Sequence, residues 1–180
     1  MEQRIPPQNV EAEQAVLGAM LLSHDAVIVA MEKLQSQDFY RDVHRIIFEA
    51  MEHLHRENKE IDVITLPDEL KRMKKLDDVG GLEYVLNLPN LVGSAANIEY
   101  YANIVAEKAL ARNLISTCTD LTTEAYDGQK ETEALLDDAE RRILQLSDTK
   151  NRGDFASVGA VVEVTLDKST NRNKNKAGQT

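Results

Sequence analysis

"NIEYYANIVAEKALARNLISTCTDLTTEAY" (residues 97–126) runs for thirty residues without a glycine or a proline. Its apolar side chains recur every three or four positions, the spacing of one face of an α-helix. A helix of that length measures about 45 Å, more than the width of a domain of about 100 residues, so its second half is expected to project beyond the first. Leu110, Leu114, Cys118, Leu121 and Ala125 form a stripe along that second half. The next four residues, "DGQK" (127–130), turn the chain. "ETEALLDDAERRILQL" (131–146) then returns with Leu135, Leu136, Ala139, Ile143 and Leu146 at helical spacing. Two amphipathic helices joined by a short turn make an αα-hairpin, which buries little by itself. Its seam (Leu110, Leu114, Leu121, Leu135, Ala139, Ile143, Leu146) is expected to be completed by a second copy of the chain. The alternative is that the hairpin folds back on its own body.

The residues before this rod repeat the same period. "NVEAEQAVLGAMLL" (9–22) sets Ala12, Ala15, Val16, Ala19 and Met20 on one face, with Asn9 as its N-cap. Glu11 and Glu13 are assigned to the positive end of that helix's dipole. Val27, Ala30, Met31 and Leu34 form a second stripe, and Val43, Ile46, Ile47, Ala50, Met51 and Leu54 a third. A fourth helix starts either at Asp62, with Ile61 and Leu66 as its staple, or at Thr65, with Pro67 tolerated in the first turn. "GGLEYVLNLP" (80–89) reads as a short fifth helix between glycines and a proline. The expected fold class is all-α, with three parts. A compact helical domain spans 1–100, the hairpin spans 101–148, and a linker with a short linker helix spans 149–180. In the last part "SVGAVVEVTLDK" (157–168) places Val158, Val162 and Leu166 at helical spacing, although "VEVTL" also alternates like a strand.

Composition agrees with helices packed on helices. The chain of 180 residues is 42% hydrophobic but has 3 Phe, 5 Tyr and no Trp, so Leu, Ile, Val, Ala and Met must fill its core. The single cysteine excludes an internal disulfide. The N-terminal "MEQRIPPQNV" lacks the apolar centre of a signal peptide, and "AVLGAMLL" is too short to cross a bilayer, so a cytoplasmic location is expected, with no membrane partner. The net charge is −10, and residues 1–150 hold 16 basic against 28 acidic side chains, a net of −12. A surface that acidic repels phosphate backbones and is unsuited to gripping DNA by itself.

Catalytic groups are sparse. The histidines are His24, His44, His53 and His55, and a surface or half-buried place is expected for them rather than metal binding. Asp77–Asp78 and Asp137–Asp138 suit solvated faces, and Cys118, on an apolar stripe, is expected to be packed. No phosphate-binding loop is present, since Gly80–Gly81 has no lysine at the required spacing. A small hydrolase using His44 with Asp42 is the weakest of three readings. A generic helical dimerisation or adaptor module is the second.

The first reading comes from resemblance. "RIPPQNVEAEQAVLGAML" (4–21), "DFYRDVHRIIFEAM" (38–51), "IDVITLPDEL" (61–70), "VGGLEYVLNL" (79–88) and "SAANIEYYANIVAEKALARNLI" (94–115) resemble, in order and separation, the amino-terminal domain of the bacterial replicative DNA helicase, the DnaB family. The resemblance covers about residues 4–168 and implies a piece cut before a RecA-like motor, which would hold ATP and Mg. It implies no nucleotide site, catalytic residue or metal in this piece. It also implies a ring of six such domains built as three dimers through the hairpins. The ring would encircle single-stranded DNA, recruit primase and meet a helicase loader. On that resemblance Tyr84 and Ile115 are candidates for the primase-facing surface, and Val158, Val162 and Leu166 for docking of the linker helix. The tail "KSTNRNKNK" (168–176) departs from the family's more apolar or acidic linker.

Overall fold

Asn9 opens the first helix by accepting the Ala12 backbone N–H on its side-chain oxygen at 2.9 Å, and α1 runs Val10–Leu22. The computed structural model describes residues 4–149. Among these, α2 is His24–Lys33, α3 Asp42–Arg56, α4 Thr65–Arg72, α5 Gly81–Asn87 and α6 Ile98–Asp127. A seventh helix, α7, covers 132–149. Short 3₁₀ turns at Ser36–Asp38, Leu88–Leu91 and Ala95–Asn97 join them, and no strand occurs among the described residues. The chain is all-α. Two compact units divide between Ser116 and Thr117, within α6.

In the first unit α1 is the centre rather than an amphipathic cover. Ala12, Ala15, Val16, Ala19 and Met20 are buried as their spacing implies, but so are Leu17, Gly18 and Leu21. α2, α3 and the turn at Leu88–Leu91 pack around it. The turn comes so close that a Cβ on Gly18 would lie 2.3 Å from the Leu88 carbonyl oxygen. In the same core, Phe39 and Phe48 lie with ring centroids 4.9 Å apart and planes tilted by 37°.

The two candidate starts of the fourth helix turn out to be one reciprocal pair. Asp62 Oδ1 accepts the backbone N–H of Ile64 and of Thr65, each at 2.8 Å, while the Asp62 N–H donates to Thr65 Oγ1 at 3.0 Å. Those backbone donors hold the Asp62 carboxyl below its usual value. Ile61 and Leu66 are both buried beside the cap.

In the second unit, Gly128 at φ +63 supplies the left-handed residue that ends α6. Glu124 on α6 then meets Arg142 on α7 at 2.7 Å, and Lys130 in the turn reaches Glu124 at 2.9 Å and Asp138 at 3.4 Å. Asp138 also pairs with Arg141 and Arg142, so it is half-buried in an ion cluster rather than simply solvated. Cys118, expected to be packed, is exposed in the single chain.

Candidate functional site

Of the four histidines expected at the surface or half-buried, His44 is the one that the fold buries completely. His44, in the first turn of α3, has no exposed surface. Its Nδ1 lies 2.7 Å from Glu13 Oε1, and Glu13, assigned above to the helix dipole, is turned inward from α1 and 1% exposed. Glu13 also accepts the backbone N–H of Tyr40 at 2.8 Å and of Arg41 at 3.3 Å. Two backbone N–H donors and an imidazole nitrogen within hydrogen-bond reach are what a buried carboxyl group needs to be tolerated. On the other side His44 Nε2 is 2.8 Å from the Tyr84 hydroxyl, which accepts the Gln14 amide at 3.2 Å. The hydrolase reading is corrected: Asp42 pairs with Arg45 at 2.9 Å, and a sealed imidazole has no access to substrate. Among the described residues no group of three or more His, Cys, Asp or Glu is placed to hold a metal, and no helix is long and apolar enough to cross a membrane.

A second clamp sits next to this one. Arg112 of α6 donates to the Pro7 carbonyl at 2.8 Å and to the Asp38 carbonyl at 2.6 Å, and its guanidinium lies 5.5 Å from the Tyr40 ring centroid. Burial pushes the Arg112 guanidinium below its usual value, against the pull of Glu13 and Asp38. Burial likewise raises the Asp38 carboxyl, against the Gln35 N–H and Arg112. Arginine is suited to this place because its planar fork reaches two carbonyls at once.

Tyr84 faces two ways. Its hydroxyl is held inside, while its ring, half-buried, lines a surface groove with Gly80, Glu83, Leu86, Asn87 and Asn90. Gly80 is there at φ +96, and a Cβ on it would come within 3.1 Å of the Tyr84 Cβ.

The apolar seam splits in two. Leu110, Leu121, Leu135, Ala139 and Leu146 are half-buried, the last four at helical spacing from the Glu124–Arg142 pair. Leu114 (45% exposed) and Ile143 (38%) face outward, as do Ile115 (52%), Leu136 (64%) and Leu144 (57%). Val158, Val162 and Leu166 lie outside the described residues.

Comparison with known proteins gives the family. The family of the DnaB-like helicase N terminal domain matches residues 5–107, more than half of the chain. The chain belongs to that family. The replicative DNA helicase DnaB of Geobacillus stearothermophilus is 41% identical over 165 residues, covering 92% of this chain and 36% of the relative. The replicative DNA helicase DnaC of Bacillus subtilis strain 168 is 42% identical over 167 residues, covering 93% and 37%. The chain thus spans a little over a third of the length of these relatives. The crystal structure of the N-terminal domain of DnaB helicase from Mycobacterium tuberculosis superimposes with a TM-score of 0.73 at 39% identity, over 79% of this chain and 99% of that one. A structure of a DnaB-like replicative helicase and its interactions with primase shares the fold, with a TM-score of 0.64 at 23% identity over 77% of this chain and 31% of that one.

Within the DnaB-like N-terminal family, spacing alone missed Glu13, Gln14 and Arg112. A signal for Glu13 exists in hindsight: with Leu17 and Met20 it lies at i, i+4 and i+7, on an apolar face of α1.

Proposed function

We propose that this chain is the assembly and partner-binding part of a hexameric, ATP-dependent replicative DNA helicase. It forms the collar of the ring and recruits primase. Residues 101–148 act as the dimerising hairpin, three dimers make the ring, and residues 149–180 lead to a motor domain that binds ATP and Mg and hydrolyses the nucleotide. Single-stranded DNA passes through the assembled ring in the cytoplasm. The observation that carries the assembly is the outward set Leu114, Leu136, Ile143 and Leu144, large aliphatic side chains that water covers poorly on both helices of one hairpin. Family membership and a DnaB-like replicative helicase of the same fold, known with its interactions with primase, support recruitment of primase, for which the surface near Tyr84 and Ile115 is our candidate. The net charge of −12 over residues 1–150 suits a collar that does not hold DNA by itself.

The test is retention of the cognate primase by immobilised chain. Capture by the wild type, weakened by Tyr84→Ala, supports recruitment. No capture by a folded chain leaves the generic helical adaptor. A helicase loader enters the same assay as a second analyte.

A further inference from the structure

We infer that Glu13 and His44 are positioning residues for Tyr84: they commit its hydroxyl to the interior, so that a partner at the groove meets the tyrosine ring and not its O–H. The inference rests on the reading of this surface as primase-facing and adds how the surface is built.

The hydrogen-bond directions decide the first step. Glu13 takes two backbone N–H groups, so it acts as an acceptor and His44 Nδ1 must carry the proton between them. In the neutral imidazole Nε2 is then the acceptor for the Tyr84 O–H, and the Tyr84 oxygen takes the Gln14 amide. A hydroxyl has one proton to give, and here it is used. The second step concerns α5. It has seven residues, too few to be stable alone, and Val85 is its one fully buried side chain. Leu82, Glu83, Leu86 and Asn87 are exposed. The rotation of α5 about its axis therefore rests on Val85, on the buried Leu88 that follows it, and on the Tyr84 hydroxyl, whose partners come from 40 and 70 residues away. What the groove offers is the ring, Leu86, the paired amides of Asn87 and Asn90, and the Glu83 carboxylate at its side. That surface fits a primase segment bringing an apolar side chain flanked by amide-bonding groups and a cation or N–H donor for Glu83.

His44 cannot touch a partner, because it has no exposed surface. The test is a double-mutant cycle on the 180-residue chain, titrated calorimetrically with cognate primase. Tyr84→Phe and His44→Gln should each weaken binding by about tenfold through lost pre-organisation, and the double variant by no more than either alone. Unchanged binding by Tyr84→Phe, or losses that multiply to about a hundredfold, overturn the inference. A partner-free arm separates it from the primase reading. NMR of the wild type should show the Nδ1–H tautomer at His44 and a slowly exchanging Tyr84 hydroxyl proton, and should do so even if primase does not bind. The other tautomer, or a hydroxyl proton exchanging at the solvent rate, sinks the positioning role. This arm also covers the case in which His44→Gln fails to fold.

Discussion

Glu13 and His44, 31 residues apart in sequence, meet at 2.7 Å with both side chains withdrawn from solvent. That contact joins α1 to α3, and its carboxylate also fixes the backbone leading into α3 through Tyr40 and Arg41. Removing the carboxylate leaves the Tyr40 and Arg41 N–H groups and His44 Nδ1 without their acceptor, at about 1–3 kcal/mol for each buried group. Glu13→Ala should therefore lose about 3 kcal/mol or more in urea denaturation, with Tyr84→Phe closer to about 1 kcal/mol. A Glu13→Ala variant as stable as wild type would mean that water reaches the site.

Gly18 is a packing glycine. Alanine is the better helix former by about 1 kcal/mol. Its methyl group would nevertheless lie 2.3 Å from the Leu88 oxygen and 3.0 Å from the Leu88 carbon, both backbone atoms, so the turn itself must move. Gly18→Ala should destabilise by about 1–3 kcal/mol in thermal or urea unfolding. A gain in stability would show that the turn yields freely.

Asp62 gives a dependence on pH. The backbone N–H groups of Thr65 and Ile64 lower its carboxyl from the ordinary 3.8, so on acidification the unfolded chain binds the proton first. The stabilisation is complete above that ordinary value and is lost as pH falls through the folded value. Asp62→Asn keeps an acceptor but no longer titrates, whereas Asp62→Ala loses the cap, about 1 kcal/mol at neutral pH. The stability difference between wild type and Asp62→Asn, measured by urea denaturation from neutral to acid pH, should favour wild type less as the pH drops below 4. Taking the difference removes the opposing effect of Asp38, whose carboxyl burial raises.

Arg112 holds two carbonyls, and lysine cannot reproduce the fork. Arg112→Lys should cost about 1–2 kcal/mol and speed trypsin cleavage after Arg4, since the Pro7 carbonyl loses its donor. Equal cleavage rates would show that the N-terminal segment is held by other contacts.

The outward apolar residues set the state of assembly. Light scattering at tens of micromolar should find dimers or hexamers, and Leu114→Asp or Ile143→Asp should shift them toward monomer. A monomeric wild type would remove the basis for a ring built through the hairpin.

Much of the scaffold could be read from spacing. The thirty residues without glycine or proline become the thirty-residue α6, one position along. Asn9 caps α1 as its type and place imply, and Gly80 and Pro89 bracket the fifth helix. These features are local: a cap, a turn or a run of apolar residues at three and four is decided by neighbours in the chain. The inner and outer halves of the hairpin seam could not be separated in this way, because Leu114 and Leu121 lie on one stripe and differ only in what covers them.

The pattern of residues by itself determined an all-helical chain, where most of its helices begin and end, and the family to which it belongs. Tertiary structure alone decided which polar groups go inside. Nothing near Glu13 in the chain says that Tyr40, Arg41 and His44 will bring it two backbone N–H donors and an imidazole nitrogen, or that His44 will turn its other nitrogen to Tyr84. A buried charge is tolerable only when distant segments satisfy it together, and periodicity carries no record of that meeting.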